Sequence, residues 1–313
     1  MRQRSVKLAG WGKAAGSEKI RFADQVRYRL AVGETLLDLT DRAIGEALDR
    51  ADLKISDMDL IVCGMATPLQ AIPCNAVLIH ERWAKGLDIP AIDINTTCTS
   101  FITGLDIVSS LIELGNYQKV LLISGDTASA ALNPDQKESY ELFSDAAAAF
   151  VVRACDDKET SGVLYSSQKT WSEGAHDTEI RGGGGLLPVF AMDSENRSDY
   201  YFDMKGSKIL KLTAKKLPAF IESCLTEAGV SRSEVGMVVP HQASKALDLI
   251  MPRLGFAKGT YADYVSRHGN MISASIPYTM CQVIEEGRIK RGEVVMLVGT
   301  AAGLTANLLL LRF

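Results

Sequence analysis

The chain has 313 residues, of which 47% are apolar and 23% charged, with a net charge of −4. That balance excludes a disordered or collagen-like chain and the basic footprint of a nucleic-acid-binding protein. No apolar run reaches the ~20 residues of a membrane helix, and the run Val6–Ala9 is too short for a signal-peptide core, so the chain reads as cytoplasmic.

Taken in chain order, the pattern is strand, helix, strand, repeated. Residues 44–62, IGEALDRADLKISDMDLIV, read as an amphipathic helix that turns into an apolar strand, and residues 221–239, IESCLTEAGVSRSEVGMVV, read the same way 177 positions later. Residues 98–115, CTSFITGLDIVSSLIELG, match residues 270–287, NMISASIPYTMCQVIEEG, at an offset of 172. Both end in Ile-Glu-x-Gly, with glycine as the helix stop. Each is followed by a strand of buried type, Lys119–Gly125 and Glu293–Gly299. Two matches in the same order, each with the same strand behind it, indicate a duplicated α/β unit with mixed sheets and helices packed on them. The expected units are 1–165 and 204–313. Residues 166–203, with Trp171, Arg181–Gly185 and Pro188, read as a loop excursion that fits neither half.

The six cysteines, at 63, 74, 98, 155, 224 and 281, form no C-x-x-C pair, so neither a zinc site nor a redox dithiol is expected. Five read as small buried hydrophobes. Cys98 stands where a strand gives way to a buried helix, among Thr96, Thr97, Thr99 and Ser100. A thiol at a helix N-terminus feels unpaired N–H groups and a partial positive charge, which lower its pKa. A buried inert cysteine at a strand–helix turn is the competing reading. His241 ends the strand Met237–Pro240 in PHQAS, where α/β sheets place their sites. His268 and Asn270 lie in HGNMISASIP. The 172-residue offset sets Asn270 opposite Cys98, so the strand ends of the two halves are expected to meet at a pseudo-twofold axis.

The stretches DINTTCTSF, SGDTA, FSDAAAAFVV, VVPHQAS, RHGNMISASIP and GEVVMLVGTAAGLTANLLLLRF resemble the thiolase-fold condensing enzymes, specifically the β-ketoacyl-acyl carrier protein synthase III group. The resemblance covers most of residues 35–313. It implies a thiolase-like duplicated α-β-α-β-α layered fold and an acyltransferase that performs decarboxylative Claisen condensation. In that family a thioester primer acylates Cys98, and His241 and Asn270 support decarboxylation of a malonyl thioester. The acyl oxyanion is then expected between the backbone N–H groups of Cys98 and Ala302. A thiolate is both a strong nucleophile and a good thioester leaving group, so these residue types suit the chemistry.

The resemblance also carries partners. It implies a homodimer, with Ile72 reaching across to the partner's acyl pocket, and gives Ile72, Phe143 and Leu187 as acyl-pocket residues. It implies an acyl carrier protein docking near Lys208, Lys211, Lys215 and Lys245. No cofactor is implied; acyl groups arrive as coenzyme A or carrier-protein thioesters, in fatty acid or polyketide-type biosynthesis.

Three departures from the family stand out. Ala301-Ala302-Gly303 replaces three glycines. Cys98-Thr99-Ser100 replaces Cys-Ala-Gly. Residues 11–35 are too short to hold the family's coenzyme A-packing segment, and Arg21, Arg27 and Arg29 there read as a solvated face. The run Arg181–Gly185 lacks the strand and helix context of a nucleotide fingerprint and reads as a flexible loop along the acyl channel. Two further functions stay open: an acyltransferase passing the acyl group from Cys98 to a hydroxyl or amine with His241 as base, and a non-catalytic partner subunit.

Overall fold

The computed structural model describes residues 3–155 and 160–313. In the first half, strand β1 (Val6–Ala15) leads into the hairpin β2 (Glu18–Phe22) and β3 (Gln25–Arg29). Helix α1 (Leu36–Ala51), strand β4 (Leu60–Gly64), helix α2 (Asn75–Trp83), strand β5 (Ala91–Ile94) and helix α3 (Ser100–Glu113) follow. Strand β6 (Lys119–Asp126), the short helix α4 (Lys137–Tyr140) and strand β7 (Ala146–Ala154) complete it. The second half opens on strand β8 (Gly162–Thr170) and the two-residue pair β9 (Thr178–Glu179) and β10 (Asp203–Met204). Then come α5 (Gly206–Ala228), β11 (Val235–Pro240), α6 (Leu247–Arg253), α7 (Val265–His268), α8 (Ser275–Glu285), β12 (Val294–Ala301) and β13 (Thr305–Arg312).

The two main sheets are copies. The first runs β1-β7-β6-β4-β5 and the second β8-β13-β12-β11. In each, two antiparallel pairings are followed by a parallel one, β6 on β4 and β12 on β11. The counterpart of β5 shrinks to a single parallel bridge between Val238 and Tyr261. Strand β8 is the partner of β1 in this symmetry. The second sheet therefore begins at Gly162, and the expected boundary at 165 cuts through its first strand.

Five layers result. α1 and α2 cover the outer face of the first sheet, α5 and α6 that of the second, and α3 and α8 lie between the sheets. Period-two geometry sends successive residues of a strand to opposite faces. On β7, Ala146, Ala148, Phe150 and Val152 join the central core, while Ala147, Ala149 and Val151 pack under α1. On β13, Leu309 and Leu311 face the centre and Ala306, Leu308 and Leu310 face outward to α5. Strands buried on both faces need continuous apolar runs, which is the pattern the sequence shows.

The first repeat keeps its 177-residue offset: α1 ends at Asp52 and α5 at Gly229, both left-handed caps. The second does not keep 172 throughout. The helix stops Gly115 and Gly287 are 172 apart and both have positive φ, but the helix starts Ser100 and Ser275 are 175 apart. Helix α8 has 11 residues where α3 has 14, so it is three residues shorter. At the active end the counterpart of Cys98 is Ser273, and the counterpart of Asn270 is Asn95.

Candidate active site

Two copies of one turn build the site. In the first, Asn95 Oδ1 accepts the N–H of Thr97 at 2.8 Å and Ser100 Oγ accepts the N–H of Thr96 at 2.9 Å. In the second, Asn270 Oδ1 accepts the N–H of Ile272 at 2.8 Å and Ser275 Oγ accepts the N–H of Met271 at 2.8 Å. Thr97 and Ile272 both sit in the left-handed region, at φ 50° and 49°. That conformation is uncommon for β-branched residues. Each turn runs through a single 3-10 turn, Thr97–Thr99 or Ile272–Ala274, into the buried helix behind it.

The copies differ in what they expose. Asn95 Nδ2 donates to Ala66 O at 2.8 Å, so that amide is structural. Asn270 sits within a short bridge to Phe143: its N–H donates to Leu142 O at 2.9 Å, and its carbonyl accepts the N–H of Ser144 at 2.8 Å. With Oδ1 and both backbone groups engaged, Asn270 Nδ2 is the group left for a ligand. At the third position of the turn, Cys98 is half-buried, whereas Ser273 is sealed and donates its N–H and hydroxyl to Asp126.

His241 lies where β11 ends, and its N–H donates to Val298 O at 2.8 Å. Gly299 makes room for it. A Cβ there would fall 2.9 Å from His241 Cβ and 3.2 Å from both Thr99 Cγ2 and Ile276 Cδ1. The Cys98 turn, His241 and α8 thus converge on one glycine. The Cys98 turn also packs on the Ile272–Ala274 turn and on β12. Burial lowers the His241 pKa to about 4, which holds the ring neutral at pH 7. Its Nδ1 is sealed without a hydrogen-bond partner among the described residues, so Nε2 is the nitrogen left to face the site.

The thiol departs from expectation. Burial, then the negative charge of Asp126, pushes Cys98 up to about 12, opposed by the backbone N–H groups of Ala302 and of Cys98 itself. α3 begins only at Ser100, so Cys98 lies in the turn before the helix proper, and desolvation outweighs the dipole. Two backbone N–H groups thus face the Cys98 sulfur. Beneath the turn, Asn307 of β13 donates to Thr99 Oγ1 at 2.9 Å and to Thr103 Oγ1 at 3.0 Å. Thr99 therefore belongs to a satisfied buried network under the nucleophile.

Against known families, residues 92–171 match the model of 3-oxoacyl-[acyl-carrier-protein] synthase III, and residues 225–313 match the model of its C-terminal region. The β-ketoacyl-[acyl-carrier-protein] synthase III of Aquifex aeolicus is 30% identical over 286 residues, covering 91% of this chain and 86% of that protein. The chain belongs to the β-ketoacyl-acyl carrier protein synthase III family. The synthase III of Clostridium perfringens is 30% identical over 297 residues, covering 94% of this chain and 89% of that one. The crystal structure of the Aquifex aeolicus synthase III superposes with a TM-score of 0.87 at 26% identity, covering 98% of this chain and 100% of that one.

Elsewhere in the chain the expected residues fare unevenly. Phe143 is buried beside Asn270, its ring edge-on to Phe202 at 5.0 Å between centroids. Leu187 is half-buried, and its carbonyl accepts the N–H of Gly183. Ile72 is 85% exposed in the β4–α2 loop, so within one chain it lines nothing. Lys208, Lys211 and Lys215 are exposed along α5. Lys245 instead pairs with Asp24 of the hairpin at 3.6 Å. The loop at Arg181 is tied at its base by ion pairs to Asp199 at 2.7 Å, Glu179 at 3.0 Å and Asp203 at 3.3 Å.

The solvated-face reading of the N-terminal arginines holds only for Arg21, which is exposed. Arg29 stacks on Tyr140, 4.5 Å from the ring centroid, and donates to Tyr140 O at 3.1 Å. Arg27 is fully buried. The hairpin lies over α4 and α7, so its inward side chains lack solvent. Sequence reading also missed Asp126, Ser273 and Asn307; the shared spacing N-x-x-x-x-S at 95–100 and 270–275 was the signal for Ser273.

Proposed function

We propose that this synthase III carries out decarboxylative Claisen condensation through an acyl-Cys98 intermediate, in fatty acid or polyketide-type biosynthesis. The observation that carries the reading is the pairing of the two turns. One presents Cys98 with the N–H groups of Cys98 and Ala302, the other leaves the Asn270 amide open, and a neutral His241 meets the Cys98 turn and α8 at Gly299. Cys98 attacks the primer thioester, its proton passes to the departing thiol, and the acyl group stays on sulfur. A malonyl thioester then loses carbon dioxide, and its enolate oxygen accepts hydrogen bonds from His241 Nε2 and Asn270 Nδ2. The carbanion attacks the acyl carbonyl. The resulting oxyanion rests on the Cys98 and Ala302 N–H groups until Cys98 leaves as the thiolate.

The acyl groups travel as coenzyme A or carrier-protein thioesters, and the reading requires no further cofactor. The exposed lysines of α5 suit an acidic acyl carrier protein, whose approach they would steer. A homodimer through β5 would cover the open sheet edge, where Ile92 is 38% exposed, and would bring Ile72 to the partner's acyl pocket. A cytoplasmic setting fits six cysteines that form no disulfide and the lack of any helix, among the described residues, long and apolar enough to cross a membrane.

Intact-protein mass spectrometry with a panel of coenzyme A and carrier-protein thioesters tests the reading. An acyl adduct is expected on the wild type and not on Cys98→Ala. Carbon dioxide release from malonyl thioester should fall ~10²–10³-fold in Asn270→Ala, the usual effect of losing one oxyanion donor. An adduct that persists without Cys98 would overturn the assignment. Release that does not depend on Asn270 would favour simple acyl transfer to a hydroxyl or amine.

A further inference from the structure

We infer that Arg27 is a positioning residue for Asn270, coupling the N-terminal hairpin to the malonyl side of the reaction. The inference rests on the reading of Asn270 as an enolate donor. Arg27 is fully buried, on β3, more than 200 residues from Asn270 in sequence. Its guanidinium meets no carboxylate among the described residues. Every acceptor it uses is neutral: Nε donates to Glu141 O at 2.8 Å, Nη1 to Val26 O at 2.6 Å and Val265 O at 2.9 Å, and Nη2 to Gln25 Oε1. Burying a charge without a bonded counter-ion is costly, and burial draws this group down to about 10 against the favourable charges of Glu141 and Asp24, leaving it a cation at neutral pH. A hydrophobic residue of similar length would fill the same space at less cost. The hydrogen bonds are therefore what the guanidinium supplies.

Two of those acceptors frame Asn270. Val265 O also accepts the N–H of Gly269, so Arg27 and the residue before Asn270 share one carbonyl. Glu141 O opens the segment whose next residues clamp Asn270, through Leu142 O and the N–H of Ser144. Gly269 touches the arginine directly. At φ 71°, a Cβ there would lie 2.6 Å from Arg27 Cδ and 2.3 Å from Leu142 O. The next hairpin residue continues the tie, since Tyr28 donates its N–H to Ser144 Oγ at 3.0 Å and accepts from the Asp145 N–H at 2.7 Å. By contrast, no hydrogen bond of Arg27 reaches the Cys98 turn. The guanidinium thus fixes both walls of the Asn270 slot and leaves the nucleophile to other supports.

The prediction is a split between half-reactions. In the full-length Arg27→Met and Arg27→Lys variants, the rate of Cys98 acylation should stay within about threefold of wild type. Malonyl decarboxylation should fall roughly 10–100-fold in Arg27→Met and less in Arg27→Lys, since a misplacement near 1 Å costs about that much. Hydrogen exchange, which needs no activity, is read alongside. Peptides covering 141–145 and 265–272 should exchange faster in the variants, while the peptide covering 94–104 stays as in wild type. Equal loss of both half-reactions, or exchange that rises uniformly or nowhere, would overturn the inference and leave Arg27 an ordinary structural residue. Should Arg27→Met fail to fold, Arg27→Lys, which keeps the charge and part of the donor set, gives the reading. If the wild type releases no carbon dioxide, the proposed reaction fails, and the exchange pattern still decides whether Arg27 holds the Asn270 slot.

Discussion

Asp126 at the end of β6 is a carboxylate with no exposure, shared between the two halves. It accepts the N–H and hydroxyl of Thr67 at 3.0 and 2.8 Å and the N–H and hydroxyl of Ser273 at 3.0 and 2.5 Å. Replacing it with alanine strands four donors. The two hydroxyls can rotate toward other acceptors, but the two backbone N–H groups are fixed. At ~1–3 kcal/mol for each buried unsatisfied group, those two alone put the loss of stability at about 2–6 kcal/mol. That is a large share of the ~5–15 kcal/mol that holds a typical domain together. Asp126→Asn keeps the shape and one acceptor oxygen, so its loss should be smaller. It also removes the negative charge that helps push Cys98 up. The sign follows directly: without that charge the thiolate is less disfavoured, the thiol pKa falls, and alkylation by iodoacetamide should set in at lower pH. Urea titration gives the stability change, and alkylation rate against pH gives the electrostatic one. An Asp126→Asn protein with unchanged stability and an unchanged or upward-shifted alkylation profile would refute the reasoning.

Two other outcomes follow from packing and burial. In Gly299→Ala the new methyl must displace His241, Thr99 or Ile276, a strain typical of overpacked cores at ~1–3 kcal/mol. Malonyl decarboxylation should fall further than Cys98 acylation does, as single-turnover measurements of each half-reaction would show. His241 and His268 are both lowered by burial to about 4, the latter amid the rings of Tyr28, Tyr264 and Tyr278. Between pH 4 and 6.5 the unfolded chain therefore binds more protons than the folded one, so stability falls as pH drops through that window. The loss is up to roughly 3 kcal/mol per histidine. Urea midpoints measured at pH 7.5 and pH 5 should differ, and by less in His268→Asn.

Much of this was readable in the chain, because it depends on local pattern. Apolar runs such as Lys119–Gly125 announce strands buried on both faces, and the matched helix stops Gly115 and Gly287 announce the duplication. Cys98, His241 and Asn270 could be singled out because each ends a strand or opens a helix. What escaped depends on which surfaces meet. An ungapped match at 172 hid the three-residue shortening of α8, and so set Asn270 opposite Cys98 instead of Asn95. Arg27 looks like any hairpin arginine until α7 and the Glu141–Ser144 segment close over it. The dipole argument for Cys98 was sound in sign, but burial and Asp126 are non-local and outweigh it.

The paired turns have a consequence for how such a site comes to exist. Holding a β-branched residue in the left-handed region costs on the order of 1–2 kcal/mol, and this chain bears that cost at both Thr97 and Ile272 although only one turn carries a thiol. The second elbow earns its place through its asparagine. An ancestral unit would have offered an asparagine amide and a small nucleophile-position residue on every copy. Here one copy has tied its amide to the Ala66 carbonyl and kept a reachable sulfur, and the other has sealed its hydroxyl against Asp126 and kept a reachable amide. On the proposed reaction, covalent capture and carbanion support would thus be divided between the twin turns of the two halves.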